Sequence, residues 1–166
     1  MPVENQKLIQ KLNSFSNVDM RAGVSKAVQM VQAEAKLLCA VESGELRHSI
    51  MTQVGGTESF AIGYCYTNKA YAGYVELGTG PRGEAQHAGI SPAVSPVYTR
   101  SPWWIHESQV DRGLAEKYRW PCIHTKDGIF YRCAGQPASP FLYPALRNNG
   151  NRAAELIADT VRKDMG

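Results

Sequence analysis

The sequence predicts an α+β fold: a small antiparallel β-sheet with a long N-terminal helix and a C-terminal helix packed on one face, and a long Gly/Pro-rich insert loop. Three observations carry this expectation. Apolar residues recur at i, i+3, i+4 and i+7 from Met20 to Leu38, and again over Ala153, Leu156, Ile157 and Val161, so each set lines one side of a helix. Residues 46–54 and 59–67 partly alternate apolar with polar side chains, as half-buried strands do. Residues 78–102 contain Gly78, Gly80, Pro81, Gly83, Gly89, Pro92, Pro96 and Pro102, too many breakers for regular structure.

The elements follow in order. Residues 1–18 hold a thin apolar pattern, Val3, Leu8, Ile9, Leu12 and Phe15, and read as a short helix or mobile arm. Asp19 is a good cap for the long helix, which is expected to stop at Glu42-Ser43-Gly44, where Gly44 takes a left-handed conformation. A strand over 46–54, a turn at Gly55-Gly56 and a second strand over 59–67 make a hairpin. The spacing of Tyr71, Tyr74, Val75 and Leu77 suits a short helix, and the irregular excursion follows it. Further on come a strand at 102–105, a short charged helix within 108–120 and a strand at 129–132. The last helix begins in 137–146 with proline in its first turn, where a missing amide hydrogen costs little, and kinks at Asn148-Asn149-Gly150.

Residues 1–166 are read as a single domain. It comprises the arm 1–18, a helix, hairpin and short helix over 19–77, an insert over 78–127, and a strand and helix over 128–166. With 166 residues, 43% apolar and 20% charged, such a chain buries roughly two-thirds of its unfolded surface. A net charge of +3 falls far short of the dense basic stripe of a dedicated nucleic-acid binder. The N-terminus lacks an apolar signal core and no run of about 18 apolar residues occurs, so a soluble protein without a membrane partner is expected. Cys39, Cys65, Cys122 and Cys133 include no C-x-x-C pair and read as small buried hydrophobes.

Catalytic chemistry does not assemble from these residues. Cys122, His124 and Cys133, with His87 or His106, could be drawn as a metal site, but the spacing lacks the short ligand pairs of structural zinc. No nucleophile elbow surrounds any serine or cysteine. Gly78-Thr79-Gly80-Pro81-Arg82-Gly83 lacks the Gly-Lys-Ser/Thr ending of a phosphate loop; its glycines read as a hinge. Glu76, among Tyr74, Val75 and Leu77, reads as a carboxylate satisfied by backbone or by Arg47 or Arg82 in preference to a general base. Trp103 and Trp104 could stack on bases, but such aromatics more often anchor cores or interfaces. The chain is therefore read as a non-enzyme without cofactor that acts through surfaces.

Three segments carry a resemblance. Gly44-Glu45-Leu46-Arg47-His48-Ser49-Ile50, then Tyr71-Ala72-Gly73-Tyr74-Val75-Glu76-Leu77-Gly78-Thr79, then Pro140-Phe141-Leu142-Tyr143-Pro144-Ala145-Leu146 resemble, in order, the signatures of the "gene product ten" family of minor tail proteins of lambda-like phages. The resemblance covers about residues 19–164. It implies a structural virion protein of the neck or tail: a tail-completion or head–tail joining subunit that forms a ring, six-fold in expectation, at the head-proximal end of the tail tube. Implied partners are further copies of itself, a tail-tube or tail-terminator protein, a head-side connector or stopper, and DNA in the channel. Tyr71, Tyr74, Arg82, Trp103 and Trp104 are the interface candidates, being of the types enriched at hot spots. Gly44, Leu46, Arg47, Glu76, Gly78, Thr79, Pro140, Phe141 and Leu142 are read as structural motif positions, Phe141 and Leu142 mainly in the core. A small nucleic-acid-binding or nuclease accessory domain is the alternative, resting on basic character, the tryptophan pair and Arg82.

Overall fold

The structure is a computed structural model that describes residues 6–7, 9–10, 19–57 and 60–164, without the side chains of residues 112 and 114. Residues 6–7 and 9–10 are helical; the rest of the arm expected over 1–18 lies outside the described residues. Residues 71–140 form one compact unit, and the segments before and after them form another.

The first unit is built on α1 (Met20–Leu38). The Asp19 side chain accepts from the Arg21 amide at 2.8 Å, satisfying one of the amides a helix start leaves open. Gly23, Ala27, Val28, Val31 and Ala35 form its buried stripe. The helix ends at Leu38, earlier than expected, with Cys39 donating to the Ala35 carbonyl. Gly44, at φ +81°, instead caps a one-turn helix, α2 (Glu45–His48), where a strand had been expected to start. Leu46, within that turn, and Ile50, the first residue of the strand after it, are both buried. Arg47 is half-buried beside them.

β1 (Ile50–Thr57) and β2 (Phe60–Thr67) pair antiparallel without a break from Ile50↔Thr67 to Thr57↔Phe60. Gly55 and Gly56 therefore lie inside the strand, which corrects the turn expected there; residues 58–59 are outside the described residues. The hairpin packs on α1 through alternate residues, and a side chain at Gly63 would meet Val28 at 3.0 Å.

The C-terminal helix, α6 (Leu142–Asp164), begins just after the fully buried Phe141, within the expected stretch and with Pro144 in its first turn. It runs through Asn148-Asn149-Gly150 as one helix, and Asn149 Nδ2 donates back to the Ala145 carbonyl at 2.9 Å. Its main partner is α1. A Cβ on Gly23 would come within 3.2 Å of the Ile157 backbone, so glycine permits this close approach of two helices. The buried Thr160 hydroxyl donates to the Leu156 carbonyl at 2.8 Å.

The second unit holds α3 (Ala72–Leu77), α4 (Gly80–Ala85), β3 (Trp103–His106), a 3₁₀ turn at Glu107–Gln109, α5 (Arg112–Lys117), β4 (Cys122–Thr125) and β5 (Gly128–Cys133). The region expected to be irregular thus contains a helix, α4, started by Pro81 at a position where a fixed φ suits the first turn. β3, β5 and β4 form a second antiparallel sheet in that order. The single sheet expected from the sequence is corrected to two, each paired locally, and the fold is α+β with its long helices packed together. Among the described residues no helix is long and apolar enough to cross a membrane.

Candidate assembly surface

The centre of the second unit is a seam between residues 75–86 and 134–139. At Gly78 (φ +76°) α3 stops, Thr79 is extended, and α4 starts at Gly80. The Thr79 amide donates to the Gln136 carbonyl at 2.9 Å, and the Gln136 amide returns a bond to the Thr79 carbonyl at 3.1 Å. Arg82 donates to Ala134, Ala138 to Gln86, and Ser139 to Val75, at 3.2, 2.8 and 2.8 Å. Side chains reinforce the same line: Gln136 Nε2 donates to the Tyr74 carbonyl at 2.9 Å and the Tyr98 hydroxyl to the Leu77 carbonyl at 2.7 Å.

This changes the reading of the glycine-threonine stretch. A hinge should have few partners, whereas Thr79 is bonded on both its amide and its carbonyl. The approach is so close that a Cβ on Gly135 (φ +76°) would lie 1.9 Å from the Thr79 carbonyl oxygen. The glycines are needed for contact between two backbones, and the seam ties the start of residues 71–140 to their end.

On this frame the interface candidates separate. Tyr71, Tyr74 and Arg82 are exposed around α3 and α4. Trp103 is half-buried, its indole only 2.9 Å from where a Cβ on Gly80 would sit, so it packs on the seam. Trp104 points from the other face of β3, opposite Arg132, and is exposed. Farther along that face His106 meets Phe130 edge-on at 5.0 Å. Glu76 and Thr79 are half-buried, Gly78 is buried, and Pro140 is half-buried at the end of the unit. In the other unit Leu46 and Phe141 are buried and Leu142 half-buried.

The Tyr98 phenol is raised by desolvation, with the Glu84 carboxylate adding to it, and its ring stacks on His87 at 5.7 Å. In the first unit burial pushes the Cys65 thiol up, and Lys36 partly opposes this. A shallow open cleft beside the seam is lined by Ala85, Gln86, His87, Ala88, Pro137 and Ala138, with His87 Nδ1 3.1 Å from the Gly83 carbonyl. Cys122, His124 and Cys133 fall on one face of the β4–β5 pair, yet among the described residues no three His, Cys, Asp or Glu side chains gather as a metal site would require.

One feature escaped sequence reasoning. In β2, Phe-Ala-Ile-Gly-Tyr-Cys-Tyr-Thr, the large residues face away from α1 and the small ones toward it. Alternation between bulky and small, where alternation between apolar and polar is usual, was the signal.

Residues 6–78 match the family model described as "Bacteriophage HK97-gp10, putative tail-component". No curated protein and no solved structure matches the chain. The matched span includes α1, α2, the hairpin and α3, and ends at Gly78, within the first segment of the seam.

Proposed function

With residues 6–78 in a phage tail-component family, we propose that this chain is a tail-completion or neck subunit that joins head and tail, assembling as a ring at the head-proximal end of the tail tube. The family match is the observation that carries this reading, and it accords with a structural rather than a catalytic role. Six copies, a tail-tube or tail-terminator protein below and a head-side connector or stopper above complete the proposal. Exposed Tyr71, Tyr74, Arg82 and Trp104 supply contact residues of the types that dominate interfaces, while Trp103 packs against Gly80.

A ring repeats one contact around an axis, so each subunit needs two different patches, one for each neighbour. DNA in the channel would meet six modest charges of +3, and any such attraction should fall steeply with salt.

The test is genetic. Disrupting the gene should leave filled heads and finished tails that fail to join, seen by electron microscopy of lysates; normal yields of infectious particles would end the proposal. Complementation with Trp104→Ala should lower joining while the purified variant keeps its helical circular dichroism. Loss of that signal would instead make Trp104 a folding residue.

A further inference from the structure

The outer face of the β1–β2 hairpin has no cover among the described residues. Met51, Phe60, Ile62, Tyr64 and Tyr66 project from it, each between 38% and 58% exposed, while the inner face is occupied by α1. None of the sixteen strand residues is Asp, Glu, Lys, Arg or His. Two uncharged eight-residue strands without proline or bulge, in a two-stranded sheet, are the kind of surface that unassembled proteins normally blunt.

A second bare patch lies at the C-terminal end of α1. Leu37 is 70% and Val41 59% exposed, with Leu38 also exposed, in the uncharged run between Lys36 and Glu42. One chain cannot bring these together, because its hairpin already holds α1 on the opposite face. Two neighbouring copies can.

We propose that the hairpin's outer face, led by Phe60 and Tyr64, seats on the Leu37–Leu38–Val41 patch of the next copy of this chain; this rests on the ring reading above. Charge selects the pairing. A charged partner would bury unpaired groups against either patch, whereas each patch offers the other an uncharged surface. Symmetry selects its sense. A hairpin face meeting its own counterpart would close as a dimer and leave Leu37 and Val41 bare, while two different patches used once each propagate from copy to copy.

Area sets the strength. Taking roughly 200 Å² for each aromatic side chain and somewhat less for Ile62 and Met51, and counting only the fraction of each that is exposed, the hairpin face offers about 400 Å². That is near half of the ~800 Å² a stable interface takes from each partner. A single contact is therefore weak, and a copy gripped on both sides in a closed ring is held by two.

The experiment places the photo-cross-linker p-benzoylphenylalanine at Tyr64 in the full-length protein. Oligomers are followed by sedimentation across a concentration series, and adducts are mapped by mass spectrometry. The expected result is intermolecular adducts within residues 36–42, reduced at least tenfold by Leu37→Asp, with circular dichroism confirming that this variant folds. Mixing Tyr64→Lys with Leu37→Asp should give a one-to-one heterodimer and nothing larger, since each retains the patch the other lacks. Oligomers whose adducts map elsewhere, or Leu37→Asp dimerising alone through its hairpin, would overturn this pairing and leave the ring reading intact. Absence of any oligomer at any concentration would remove both.

Discussion

The two compact units are held together by different physics. Of the twelve buried apolar residues among those described, nine belong to the helix–hairpin unit, including Phe141 and Ile50, and three to residues 71–140, namely Ala72, Ala115 and Tyr131. The first unit is a packed core of the usual kind, two long helices and a hairpin around an apolar stripe. The second has little to bury and relies on main-chain bonds across the seam, whose net worth is about 1 kcal/mol each. One lesson is that a segment rich in glycine and proline can be ordered without a core, provided its ends are bonded to each other. Another is that the two units should respond to different injuries.

The largest injury is to the core. Phe141 is fully buried, and Phe141→Ala should cost about 3–5 kcal/mol by lost burial and a residual cavity. The readouts are separable, because Trp103, Trp104 and Trp120 all lie in residues 71–140, whereas α1 and α6 dominate far-UV circular dichroism. The helical transition should drop most in thermal or urea unfolding. An unchanged midpoint would contradict the burial of Phe141, and an equal drop in tryptophan fluorescence would erase the contrast between the units.

A smaller injury targets the seam. Gly135→Ala forces a Cβ into the Thr79 carbonyl at a backbone angle alanine avoids, which should cost about 1–3 kcal/mol from strain. Amide exchange at Thr79 and Gln136 should quicken, and tryptophan fluorescence should report earlier unfolding, with the helical signal little moved. Unaltered exchange at both amides would show that the seam is not what orders the unit.

The same division explains how much of the molecule could be read from its residues. α1 was legible because its information is local: Asp19 to cap it and an apolar stripe to bury. α4 was not, because Gly-Pro-Arg-Gly looks like a breaker and the partners that fix it, residues 134–138, come some fifty positions later. β4 was missed since all four of its residues are exposed and show no alternation; only pairing with β5 reveals it. β2 was recognised as a strand, but which face turns inward depends on how near Val24 and Val28 approach Gly63, and that distance is tertiary. Of the surface candidates, Trp103 and Trp104 were indistinguishable as neighbours in sequence, and the sheet register sends one onto the seam and the other outward.

The finest test of the contrast is alkaline titration, since Cys65 in one unit and Tyr98 in the other are both raised. Cys65 faces α1, and burial raises its thiol above the usual 9.0. The folded state therefore keeps this proton longer than the unfolded chain, so the contribution is complete below pH 9.0 and is lost as pH rises toward the folded value. Tyr98 behaves alike from a higher start: desolvation and then Glu84 raise its phenol above 10.0, and its proton is the one donated to the Leu77 carbonyl. The helical transition should begin to weaken about one pH unit before the tryptophan transition. Other groups titrate in the same range, so each effect is read as a difference between protein and variant. Cys65→Ala should flatten the alkaline fall of the helical signal alone, and Tyr98→Phe that of the tryptophan signal alone and by much less, since solvent screens its phenol. If either variant moves both signals equally, the units share one cooperative transition, and the distinction between a core and a seam becomes one of local bonding only.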